Sequence, residues 1–183
     1  MHEVSLGYTI QDYLTGKEIE ATTYEDFRQA IVKMLVERKG YPKENLKTKI
    51  EIKFKIDGKD FVTKVDIVAY DDNKKPILVI LFCAGEIETY VSECVSAGRL
   101  LPDGPAKLGV VTDTKRAMLI RIYDKEILQQ KDYYAIPDWE TLLKLAKDTP
   151  QYQLTDQKRK LEERRLYALS QLKCACRDDV CDL

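Results

Sequence analysis

The sequence predicts an α/β protein with a mixed central sheet of about five strands, helices on both faces and extra helices toward the C-terminus. Three observations carry that prediction. A helical-period apolar pattern follows Thr22. From Thr48 the period changes to two and is broken by Asp57-Gly58. The run Ile77-Leu78-Val79-Ile80-Leu81-Phe82-Cys83 is then apolar on both faces. A strand of that last kind belongs at the centre of a sheet covered on both sides.

Thr22 with Glu25 three residues later has capping-box spacing, and Phe27, Ala30, Ile31, Met34 and Leu35 follow at helical intervals until Gly40 and Pro42 stop the run. Ile50, Ile52, Phe54 and Ile56 then alternate with Lys49, Glu51, Lys53 and Lys55, the pattern of a half-buried strand. Asp57-Gly58 supplies a tight hairpin turn into a strand over 61–70, and the polar residues 71–75 turn the chain into the apolar strand 77–83. A helix over about 86–101 is ended by Pro102-Asp103-Gly104-Pro105, and short strands over 108–112 and 117–123 follow. Pro137-Asp138-Trp139 opens a short helix through Ala146. Thr155 opens a charge-rich helix to about Lys173, and the mixed charges over 157–165 read as a solvated face. The expected organisation is an N-terminal extension (1–23), a core (24–123) and a C-terminal helical extension with a cysteine tail (124–183).

Composition narrows the function classes. With 44 % hydrophobic and 33 % charged residues the chain reads as an ordinary soluble globular protein. The first ten residues lack a signal-peptide pattern and no run is long enough to cross a bilayer, so the expected location is the cytoplasm, with no membrane partner. Five cysteines, an odd number, argue for reduced thiols. The single histidine, His2, excludes histidine-based triads and metal sites. A net charge of −1 removes the global argument for nucleic acid and leaves it to local patches. Cys174, Cys176 and Cys181 supply three thiolates, one short of a closed tetrahedral zinc site, and the C-x-C spacing is not that of common zinc modules. A tail without a metal is the expectation.

Three segments read in order carry a family resemblance. They are Leu35-Val36-Glu37-Arg38-Lys39-Gly40-Tyr41-Pro42, Val65-Asp66-Ile67-Val68-Ala69-Tyr70-Asp71 and Lys75-Pro76-Ile77-Leu78-Val79-Ile80. Over about residues 24–123 the chain resembles the N-terminal region of type I restriction enzyme R subunits, a branch of the PD-(D/E)XK nuclease superfamily. The resemblance implies a restriction-endonuclease-like core and a site in which carboxylates on neighbouring strands hold a divalent metal. A Glu-x-Lys pair on one strand face would complete that site. Asp66 matches the first carboxylate, Leu81 stands where the glutamate would be and Cys83 where the lysine would be. Leucine has no lone pair for a metal, and a thiol is a poor substitute for an ammonium beside phosphate. The expectation is therefore a catalytically degenerate, non-enzymatic domain without a cofactor. Asp66 is read either as a vestige of the site or as an ordinary paired polar residue.

The competing expectation is a magnesium-dependent endonuclease with a relocated carboxylate, for which Glu86 and Glu88 are the candidates, although acids at a helix start are expected for electrostatic reasons alone. Glu25 resembles an accessory acidic position of the family, but its capping role explains it. The R-subunit helicase does not follow in this sequence, so the chain is expected to act free-standing.

For nucleic-acid contact the candidates are Lys49, Lys53 and Lys55, expected on one strand face, with Lys64 and Arg99. Lys43, Lys47 and Lys59 lie near in sequence, Lys115 and Arg116 could add contacts from the turn between the last two core strands, and Glu44, Glu51, Asp57 and Asp60 dilute the patch. DNA is one expected partner. A protein partner or a second copy docked through 155–173, along Leu161, Leu166, Leu169 and Leu172, is the other.

Overall fold

The computed structural model describes residues 4–83, 85–113, 115–132 and 135–175, with side chains as far as 171. In order, the elements are β1 (Ser5–Gln11), β2 (Glu18–Thr22), α1 (Glu25–Lys39), β3 (Leu46–Ile56), β4 (Lys59–Tyr70), β5 (Pro76–Phe82), α2 (Val91–Arg99), β6 (Leu108–Thr112), β7 (Arg116–Arg121), β8 (Ile127–Asp132), α3 (Trp139–Asp148) and α4 (Asp156–Ala175). Strands β3 to β8 form one sheet in sequence order, and β1 and β2 pair separately. Every neighbouring pair is antiparallel except β5 and β6, which α2 connects as a crossover.

The mixed sheet with helices on both faces is as expected. One face buries Ile67, Ile80 and Leu119 against Ile31, Val32 and Leu35 of α1 and Leu142 of α3. The other buries Val79, Val111 and Met118 against Val95 of α2 and Leu166 of α4. The sheet has six strands rather than about five. The additional strand, β8 (ILQQKD), is an exposed edge whose polar residues give no period-two signal. The β1–β2 hairpin lies in the stretch expected to be an extension, and nearly all of β1 is exposed.

Two local expectations are corrected. The capping box does not form: Thr22 ends β2, Tyr24 occupies the N-cap without a side-chain bond, and the Glu25 carboxylate turns inward. Phe27 is 45 % exposed, and the buried stripe of α1 runs instead through Arg28, Ile31, Val32 and Leu35. The helix expected from about 86 is α-helical only from Val91. Ahead of it the Thr89 N–H and hydroxyl both donate to the Glu86 carbonyl (3.1 and 2.7 Å), tightening Ile87–Tyr90 into a 3-10 turn.

The Lys39-Gly40-Tyr41-Pro42 turn positions α3. Gly40 takes φ 73°, the left-handed conformation that ends helices. The Tyr41 hydroxyl donates to the Pro137 carbonyl at 2.9 Å, and its ring lies 5.2 Å from that of Trp139. At the other end of the chain α4 is not simply solvated. Glu162 and Leu166 are buried, and the Tyr167 ring meets Phe61 edge-on at 4.5 Å. The docking stripe expected over 155–173 is thus partly spent on the protein's own core. Leu161 remains exposed, and the side chain of Leu172 and the thiols of Cys174, Cys176 and Cys181 lie outside the described residues.

Candidate functional site

Alternation along β3 and β4 breaks at one shared rung. Leu46 packs on the α1 side and Ile50 on the α2 side although four residues apart; Val65 and Ile67, two apart, likewise enter opposite cores. The irregularity centres on Lys49, whose φ of 54° is left-handed. Ile50, Ile52 and Phe54 enter the α2-side core, so Lys53 and Lys55 face the other side of the strand, the side on which Lys49 meets α1. The Lys49 ammonium meets the Glu25 carboxylate at 2.5 Å.

Asp66 lies where β4 and β5 part. The last paired residues are Ile67 and Ile80, so Asp66 and Leu81 occupy the next rung. There the Asp66 carboxylate accepts the Phe82 N–H (2.8 Å) and pairs with the Arg28 guanidinium (3.0 Å). Arg28 also meets Glu25 at 2.5 Å, and both side chains are almost fully buried, at 2 and 1 % exposure. Gln29 extends the network by donating to Glu25 (2.8 Å) and Asp12 (2.9 Å) while accepting the Tyr13 N–H (2.7 Å). Burial alone would raise the Asp12 carboxyl; hydrogen bonds from Thr15 and Gln29 outweigh it and hold the group below its ordinary value. Two carboxylates from separate elements, Glu25 and Asp66, thus converge on one guanidinium. Charges this deep are tolerated only when paired and hydrogen-bonded.

Leu81 and Cys83 pack into the α2-side core, and the Cys83 thiol lies 3.6 Å from the Thr112 carbonyl oxygen. Neither supplies a hard oxygen ligand. Glu86 and Glu88 are exposed and turned away toward β7 and β8, where Glu86 pairs with Arg116 at 3.0 Å and Glu88 accepts from Gln130 at 2.6 Å. Strand β7 lies three strands from β4 in the sheet, about 14 Å at the usual spacing. Among the described residues no group of three or more His, Cys, Asp or Glu side chains is placed to hold a metal ion. The divalent metal that the resemblance implies does not fit these residues, because the two carboxylates present are already engaged by Arg28 and Lys49.

The nucleic-acid candidates divide. Lys53, Lys55 and Lys64 project from the β3–β4 hairpin with most of their side chains in solvent, Lys53 and Lys64 beside Glu51 and Lys55 beside Asp60. Arg99 is corrected outright. It is 5 % exposed, pairs with Glu162 at 2.8 Å and donates to the Ile122 and Tyr123 carbonyls, so a phosphate has no access to it.

Sequence reasoning missed Arg28, Gln29 and Asp12. A signal for the first existed: Glu25 and Arg28, three apart, continue the face on which Val32 and Leu35 are buried, and a charged pair on a buried face announces a polar partner from elsewhere.

A family model described as type I restriction enzyme R protein N terminus matches residues 23–137, beginning at the entry to α1 and running beyond 123 through β8. No curated protein matches the chain. Among solved structures, the type IIG restriction endonuclease BpuSI is similar at 13 % identity and a TM-score of 0.40, over 85 % of this chain and 17 % of that enzyme. This chain therefore spans less than a fifth of that protein. A candidate nuclease of the DUF820 group from Anabaena variabilis is similar at 11 % identity and a TM-score of 0.39, over 86 % of this chain and 89 % of that one.

Proposed function

The chain belongs to the type I restriction enzyme R protein N-terminal family, and from that membership we propose that it is a nuclease-fold domain that does not cut and that meets nucleic acid through its β3–β4 hairpin. One observation carries the first half of the reading: the Asp66 carboxylate is bound to Arg28 and to the Phe82 N–H, while the neighbouring positions are held by Leu81 and Cys83. Phosphodiester cleavage in this superfamily needs a metal-bound, polarised phosphate and a cation to steady developing charge. Leu81 cannot ligate, Cys83 is a buried thiol, and the remaining carboxylates are neutralised from within. The second half is supported by Lys53, Lys55 and Lys64, exposed side by side on a sheet edge and suited to sequence-independent phosphate contact.

Supercoiled plasmid incubated with the protein and magnesium or manganese tests the reading. The expected outcome is no nicking above the rate given by Asp66→Ala. Metal-dependent nicking that Asp66→Ala abolishes would overturn it.

A further inference from the structure

The geometry points to Arg28 and Lys49 as a built-in replacement for a divalent cation, their two positive charges standing against the two negative charges of Glu25 and Asp66. The inference rests on the non-cutting reading above and deepens it by saying what now holds the site together. Arg28 meets Glu25 within α1 at 2.5 Å and ties that helix to β4 through Asp66 at 3.0 Å, while Lys49 reaches Glu25 from β3 at 2.5 Å. A metal ion shared by carboxylates of a helix and a strand makes the same kind of cross-link. Lys49 is a non-glycine residue held at φ 54°, a disfavoured left-handed conformation, and the break in alternation there aims its ammonium at a carboxylate that is 1 % exposed. Glu25 is thereby paired on both sides of one oxygen, with Gln29 on the other. A guanidinium also suits the place sterically, because its planar fork serves two carboxylates at once. The protein's stability should accordingly be indifferent to divalent metal, and removing one internal cation should create a demand for an external one.

Thermal unfolding with and without millimolar Mn2+ tests this, together with Mn2+ uptake followed by loss of the free-ion EPR signal. Wild type should show neither a shift nor uptake. Arg28→Met should melt lower by on the order of 10 °C and recover about 3 °C or more in Mn2+. Adding Asp66→Asn to it should abolish the recovery. Lys49→Met, which alters the half-exposed member of the pair, should show the same Mn2+ response and carries the test if Arg28→Met does not fold. Uptake by wild type that Asp66→Asn abolishes would overturn the inference, as would folded Arg28→Met and Lys49→Met proteins that take up no Mn2+. Plasmid nicking by wild type would instead sink the non-cutting reading, whereas Mn2+ uptake without nicking sinks this inference alone.

Discussion

Glu162 is a carboxylate held where water does not reach. Burial alone would raise its pKa, but the Ser96 hydroxyl at 2.6 Å, the Arg99 guanidinium at 2.8 Å and the nearby Arg165 stabilise the charged form more, and the net effect is a depressed value. A depressed folded pKa gives stability that is complete above the unfolded value, near 4.5, and is lost as pH falls from there through the folded value. Urea midpoints measured from pH 7 to pH 3 should therefore decline across that window, and Glu162→Gln should flatten part of the decline. Arg99→Ala leaves Glu162 buried without its guanidinium and should cost about 3 kcal/mol at neutral pH. Arg99→Lys should recover little, since one ammonium cannot serve Glu162 and two carbonyls together. The Asp66 carboxylate belongs to the same class of residue-scale fact. Its chemical type was legible in the sequence, whereas its partner Arg28, 38 positions away, depended on how α1 lies across β4.

Helix α2 packs closely on the sheet at two glycines. A methyl group built on Gly109 of β6 would fall 2.8 Å from the Cys94 Sγ and 3.0 Å from Ile122, and one on Gly98 of α2 would fall 2.9 Å from Ile122. No real side chain tolerates such distances without a shift of its neighbours. Gly109→Ala should thus destabilise by about 1–3 kcal/mol, and Cys94→Ala in the same chain should restore part of the loss, a coupling visible in a double-mutant cycle of denaturant midpoints. Element types were largely legible because they follow from local pattern: β3, β4 and β5 from period-two and all-apolar runs, α1 from helical spacing, and α3 from Pro at its start, although its cap, the Asp138 carboxylate accepting the Thr141 N–H at 2.9 Å, came only from the structure. β8 and the β1–β2 hairpin were not, since an edge strand that buries little on either face has no reason to alternate.

At the scale of the whole molecule a net charge of −1 sets the strength of any nucleic-acid contact. The hairpin lysines sit among Glu51 and Asp60, and Arg99 contributes nothing from its buried position. Binding of duplex DNA should be of the non-specific kind, with a dissociation constant on the order of 10⁻⁵ M at low salt that weakens several-fold as salt rises toward 0.2 M. Fluorescence anisotropy checks this, and Lys53→Glu with Lys55→Glu should remove the binding while leaving the melting temperature nearly unchanged, since both side chains are 70 % exposed. Binding that survives the double substitution would place the contact elsewhere on the surface. No helix among the described residues is long and apolar enough to cross a membrane.

By itself the sequence determined the α/β class, the hairpin at Asp57-Gly58, the buried central strand and the absence of a carboxylate at Leu81 and of an ammonium at Cys83, all of which depend on residue identity and short-range periodicity. Tertiary structure alone decided that Glu25 faces inward rather than capping α1, that Lys49 pairs with Glu25, that Arg99 is consumed by Glu162, and that Arg28 joins two carboxylates. Those outcomes depend on which charged groups the packing of distant elements shuts away from water together. A buried charge takes whatever partner the fold brings within reach, and a linear pattern carries no record of that meeting.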